Sequence, residues 1–210
     1  MLFLTFLKIM HLSGLMAGFG GALYTDYLMI SGGILRPLKP QTLIEVKRLS
    51  RVVTWGLVLL WISGAALAYE AYLTNEVFLE NEKFWAKMVM VVILTLNGFF
   101  VHYVVLREAE RSINKRLLID SPLPVLVLLA ATGLISFVSW TLPFILGKAS
   151  EFSYVLPFGL FMSVWLILVL SAVAGVLSLV ALHDLWTRYQ AKGTRRPHHQ
   201  NLCADRAVVA

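Results

Sequence analysis

The chain has 210 residues, 59% of them hydrophobic and 14% charged, with a mean hydropathy of +0.77. A soluble domain carries about a quarter charged residues, so a soluble enzyme is excluded and an integral membrane protein is indicated. The net charge of +6 arrives without a nucleic-acid recognition motif, and the lone Cys203 excludes a disulfide framework and argues against a cysteine-ligated metal.

The chain contains five apolar stretches, each near or above the ~20 residues needed to cross a bilayer. The first, Leu2–Ser31, lacks a basic n-region and a small-residue cleavage site, so it reads as a transmembrane helix and not as a cleavable signal. At about 100° per residue, His11, Gly14, Gly18, Gly21 and Thr25 fall on one of its faces. A histidine in a bilayer marks a functional site by default. The glycines beside it make a shallow groove that admits either a flat cofactor or a closely packed helix. Asp26, flanked by Tyr24 and Tyr27, is expected to pair with Arg51 or Arg107 or to carry a proton.

Pro37 and Pro40 break the next segment, and Thr42–Arg51 is expected to form a short amphipathic helix on the membrane surface. The second span is Val52–Leu73, with Glu70 near its end as a partner for Lys87 or Lys8. The third is Phe84–Leu106. Lys87, Val91, Thr95, Gly98 and His102 share one of its faces, and fifteen residues separate Lys87 from His102, about 22 Å along the axis. The fourth span, Leu123–Leu146, opens on Pro122 and Pro124, and Pro143 is expected to kink it. The fifth is Val155–Leu182, with His183 and Asp184 at its boundary. The membrane domain is thus residues 1–188, and the tail 189–210, with His198 and His199, is expected to be disordered. The fold class is an all-α bundle of five transmembrane helices.

Fourteen of the 18 basic residues lie in the loop at 32–51, the loop at 107–120 and the tail; Lys8, Lys83, Lys87 and Lys148 fall on the other side. The positive-inside rule then predicts an outside N-terminus and a cytoplasmic C-terminus. His11 and Lys87 come out at one depth, and His102 and Asp26 at another. One haem held by both His11 and His102 is therefore geometrically poor, and two sites, or one site and a polar relay, fit better.

Three functions compete. The first is a membrane haem protein in redox chemistry, an electron carrier or an oxidoreductase acting on a porphyrin-like or quinol substrate. His11 would be its leading ligand, His102 and His183 further candidates, Gly14 and Gly18 the cradle, and Lys87 the contact to an anionic group. The second is a non-catalytic subunit or assembly factor of a larger respiratory complex, with the polar residues serving as packing glue and the bilayer, a membrane redox partner or further copies as partners. The third is copper handling, because Met10, His11 and Met16 lie close in sequence, with Met88 and Met90 near Lys87. Nucleotide-binding, Ser-His-Asp and zinc-hydrolase motifs are absent.

The segment Leu7-Lys8-Ile9-Met10-His11-Leu12-Ser13-Gly14, with Gly18 to Gly21 following, resembles the first helix of two bacterial membrane families: the membrane-bound protoporphyrinogen IX oxidase and the copper-resistance D-type proteins. Phe84-Trp85-Ala86-Lys87, with His102 and Arg107 after it, resembles the third helix of the oxidase. The likeness covers roughly residues 5–30 and 84–111; the oxidase has four spans, where five are read here. The resemblance implies the bacterial inner membrane and a b-type haem, with His11 as leading ligand and Lys87 close by.

Overall fold

The computed structural model describes residues 2–34, 36–75 and 77–193. All regular structure among them is helical: α1 (Leu2–Met29), α2 (Pro40–Thr74), α3 (Glu82–Phe100), α4 (Leu106–Arg111), α5 (Leu117–Asp120), α6 (Leu123–Lys148) and α7 (Phe158–Gly193). Five helices among the described residues are long and apolar enough to cross a membrane. The chain forms two compact units, Met1–Val173 and Ala174–Ala210, and the helix packing belongs to the first.

Two of the long helices end in a π-helical turn. Ile30–Ile34 continues α1, and Val101–Val105 joins α3 to α4. Each such turn holds one residue more than an α-turn and leaves a backbone group to be satisfied locally; such bulges concentrate at functional sites.

Several expectations change. Thr42–Arg51 is no separate surface helix: α2 runs unbroken from Pro40 to Thr74. Nothing in the sequence breaks the helix between Arg51 and Val52, Pro40 sits at the start where its missing N–H costs nothing, and Leu43 and Val46 are buried. Pro143 lies inside α6, near its end, as read from the sequence. The fifth long helix starts at Phe158, where the Glu82 carboxylate accepts the Phe158 N–H, and it continues past Arg188 to Gly193. His198, His199 and Cys203 lie outside the described residues, as does the side chain of His183.

Loop contacts fix which helix ends lie together. At one end the Lys83 ammonium donates to the Ala149 carbonyl at 2.7 Å, satisfying an acceptor at the C-terminus of α6 with a cation, and Asn75 donates to the Tyr154 hydroxyl. At the other end the segments around Leu38 and Asn114 exchange backbone hydrogen bonds (Leu38 N–H to Lys115, Asn114 N–H to Leu38). Leu38 there is fully buried with Leu43 and Ala109.

Within the bundle, polar side chains join neighbouring helices. Trp61 Nε1 donates to Thr95 Oγ1 across α2 and α3, Asn97 Nδ2 to the Thr132 carbonyl across α3 and α6, and Trp165 Nε1 to Ser139 Oγ across α7 and α6. Bonds of this kind are worth about 0.6 kcal/mol each in membrane proteins, so they set register more than they set stability. Core packing gathers Leu60, Leu94 and Trp140 in one cluster and Ala86, Met90, Leu146 and Phe161 in another.

Candidate functional site

The glycine face of α1 is a helix contact. A Cβ placed on Gly14 would stand 2.9 Å from the Gly56 carbonyl oxygen and 3.1 Å from the Leu60 nitrogen. One placed on Gly56 would stand 2.5 Å from the Gly18 nitrogen. Gly14, Gly18 and Gly56 thus let the backbones of α1 and α2 touch, the use that small residues have in membrane bundles. Over Gly18 lies the Trp140 indole of α6, whose Cη2 would be 2.3 Å from an added Cβ. Gly21 meets Val53, and the Thr25 hydroxyl donates back to the Gly21 carbonyl. Of the two uses the sequence allows this groove, Gly14, Gly18 and Gly56 serve helix packing.

His11 sits at the end of this seam. Its Nδ1 lies 3.0 Å from Ser63 Oγ. The Ser63 hydroxyl, fully buried, is itself 2.6 Å from the Leu59 carbonyl. A hydroxyl has one proton, and the carbonyl can only accept, so Ser63 donates to Leu59 and accepts from His11. That places the ring proton on Nδ1, and the Leu60 backbone adds a second hydrogen bond to the ring. Gly64 gives the ring room: a Cβ there would stand 3.3 Å from His11 Cε1. Sequence reasoning misses both Ser63 and Gly64, although a Ser-Gly pair inside the apolar run Leu57–Ala68 is the trace they leave.

Lys87, half-buried on α3, acts electrostatically on the His11 ring. Among the described residues neither a hydrogen bond nor an ion pair engages its ammonium group.

His102 belongs elsewhere. It is exposed on the π-helical turn, edge-on to the Tyr103 ring at 5.3 Å, and lines an open cleft of about 460 Å³ with Lys47, Arg51 and Arg107. Arg51 and Ser63 are twelve residues apart on α2, about 18 Å along its axis. His11 and His102 do not converge.

The expected ion pairs of Asp26 and Glu70 do not form. The described ion pairs are Lys47–Glu110 and Glu108–Arg111, so Glu110, and not Asp26, is the carboxylate facing the basic residues of α2. Asp26 instead lies against α6, its Oδ1 3.6 Å from where a Cβ of Gly133 would be, without a hydrogen bond to any described residue. Tyr24 and Tyr27 stack on each other, exposed, away from it.

Among the described residues no three His, Cys, Asp or Glu side chains converge as a metal site. A haem asks for less, since four ligands of its iron come from the porphyrin and the protein adds one or two. His11, its ring oriented by the hydrogen bond to Ser63, is the kind of donor one axial position asks for. Met16 is exposed on α1, about 140° round the helix from His11, so the two do not face one ion. Comparison of the chain with family models, with characterised proteins and with solved structures finds no match.

Proposed function

We propose that this is a multi-pass redox protein of a bacterial inner membrane in which His11 supplies one axial ligand to haem b. The observation that supports the reading is the Leu59–Ser63–His11 chain of hydrogen bonds, which orients an imidazole within a membrane-spanning helix. Haem b, when bound, supplies one-electron chemistry. The chain's own residues orient the imidazole through Ser63, and Lys87 offers a cation to an anionic edge group at the same depth. The basic loops at 32–51 and 107–120 orient the N-terminus outward.

A dithionite-reduced minus oxidised spectrum of the detergent-purified protein tests this. The expected result is a sharp α band with near-stoichiometric haem b, lost in His11→Ala while the variant remains folded. A full haem complement in His11→Ala would remove the assignment.

A second reading, a non-catalytic subunit of a larger membrane complex, draws on the closed glycine face and on the fifth span, where Phe161 and Val169 are the buried apolar residues and Ile167, Leu170 and Leu179 are exposed. A colourless protein that co-purifies with membrane partners favours it.

A further inference from the structure

Arg51 and Ser63 lie about 18 Å apart along α2, and at the Arg51 end three separate elements line one cleft. Lys47 and Arg51 come from α2, His102 and Tyr103 from the π-helical turn, and Arg107 and Glu110 from α4. Lys47 is held by the Glu110 carboxylate. Among the described residues Arg51 and Arg107 have no hydrogen bond or ion pair, so two guanidinium groups line the cleft with their donors unused. The π-helical turn Val101–Val105 carries His102 and Tyr103 and adds one residue before Arg107, which turns the residues after it by about 100° relative to a continuous α-helix.

We infer that this cleft binds the phosphate headgroup of an anionic phospholipid, seated between Arg51 and Arg107. Two planar forks suit phosphate oxygens. The cleft lies where α2 and α3 leave their apolar stretches, at headgroup level. Its rim carries Tyr103, 57% exposed, an aromatic of the kind that lines membrane interfaces. Phe99 and Phe100, four and three residues before Tyr103, are also exposed on α3, and offer acyl chains an apolar strip beside the charged residues. A free phosphate would use the guanidinium groups and leave this strip unused, so the lipid is the occupant favoured. The inference is independent of what His11 binds.

The test is native mass spectrometry of the full chain, purified in a zwitterionic detergent, with phosphatidylglycerol and phosphatidylcholine of the same acyl chains added in turn. The wild type is expected to prefer phosphatidylglycerol. Arg51→Gln and Arg107→Gln are each expected to lower that preference about fivefold and together about thirtyfold, taking the usual contribution of one basic residue at an anionic surface. Lys148→Gln, at the opposite end, is expected to leave it unchanged. Equal binding of both lipids by the wild type overturns the inference, as does a preference that survives in the folded double variant. Displacement of phosphatidylglycerol by millimolar inorganic phosphate would also overturn it, by making the cleft a soluble-phosphate site. Should the double variant fail to fold, Arg51→Gln alone carries the comparison, because Arg51 is exposed and unpaired among the described residues.

Discussion

The end of the Trp140 indole rests on Gly18: the ring's Cη2 and Cζ2 would stand 2.3 and 2.9 Å from a Cβ on that residue. Phe19 stacks beside the indole at 6.2 Å, and Trp140 itself is 2% exposed, its Nε1 buried without an acceptor among the described residues. Gly18→Ala must therefore displace a packed ring, and we expect a loss of about 1–3 kcal/mol, as for overpacking elsewhere. Trp140→Phe should recover part of that loss in the double variant. On its own Trp140→Phe should cost less than the roughly 3–5 kcal/mol of a truncation to alanine, since it also removes an unsatisfied donor. Reversible unfolding in mixed micelles measures all four corners of the cycle; strict additivity would show that the two residues do not meet.

A second pair of glycines separates close approach from mere smallness. Gly56→Ala is expected to destabilise by more than about 1 kcal/mol, because the new methyl would stand 2.5 Å from the Gly18 nitrogen and backbone cannot step aside. Gly20→Ala, with open space around it, is expected to be neutral or stabilising, by up to about 1 kcal/mol from helix propensity. Thermal denaturation of the two purified variants decides; equal losses would contradict the α1–α2 seam.

Lys83 and Lys87 are one turn apart on α3 and should behave oppositely. Lys83→Met removes the bond to the Ala149 carbonyl and is expected to cost about 1.5–3 kcal/mol, the range for charged hydrogen bonds. Lys87→Met removes a half-buried cation with no hydrogen-bond partner among the described residues and is expected to leave stability equal or higher. If His11 holds a haem, Lys87→Met should also shift its midpoint potential while leaving haem content intact. Parallel loss of stability in both variants would mean that Lys87 has a structural role after all.

Asp26 lies against Gly133 with no hydrogen bond or ion pair to a described residue, so Asp26→Asn should not destabilise the fold. A loss above about 1 kcal/mol in the same unfolding assay would show that the carboxylate is paired in the membrane.

The five spans are legible in the sequence because twenty or so apolar residues in a row have few other uses. What stays hidden is pairwise. Periodicity puts Gly14 and Gly18 on the face of His11, but which neighbour fills that face depends on Gly56 and on Trp140, a residue 122 positions away from Gly18 in sequence. Ser63 is invisible as the partner of His11 because a single serine in a span more often bonds its own preceding turn, as Ser63 also does. The π-helical turns leave no compositional mark, so the cleft around His102 cannot be foreseen. Charge alone assigns Asp26 an arginine, whereas the arginines at that end face the cleft beside Glu110.

The seam of Gly14, Gly18 and Gly56 also bears on assembly in time. Everything it needs lies within the first 74 residues, so the hairpin of α1 and α2 can close while the ribosome is still translating α3. Trp140 arrives only when α6 has been made, and it seats on a backbone surface already in place. Two co-expressed fragments, residues 1–75 and 76–210, are therefore expected to recombine in the membrane into a stable complex. The first should resist proteolysis on its own, and Gly56→Leu should make it a ready substrate for quality-control proteases before any later span is inserted.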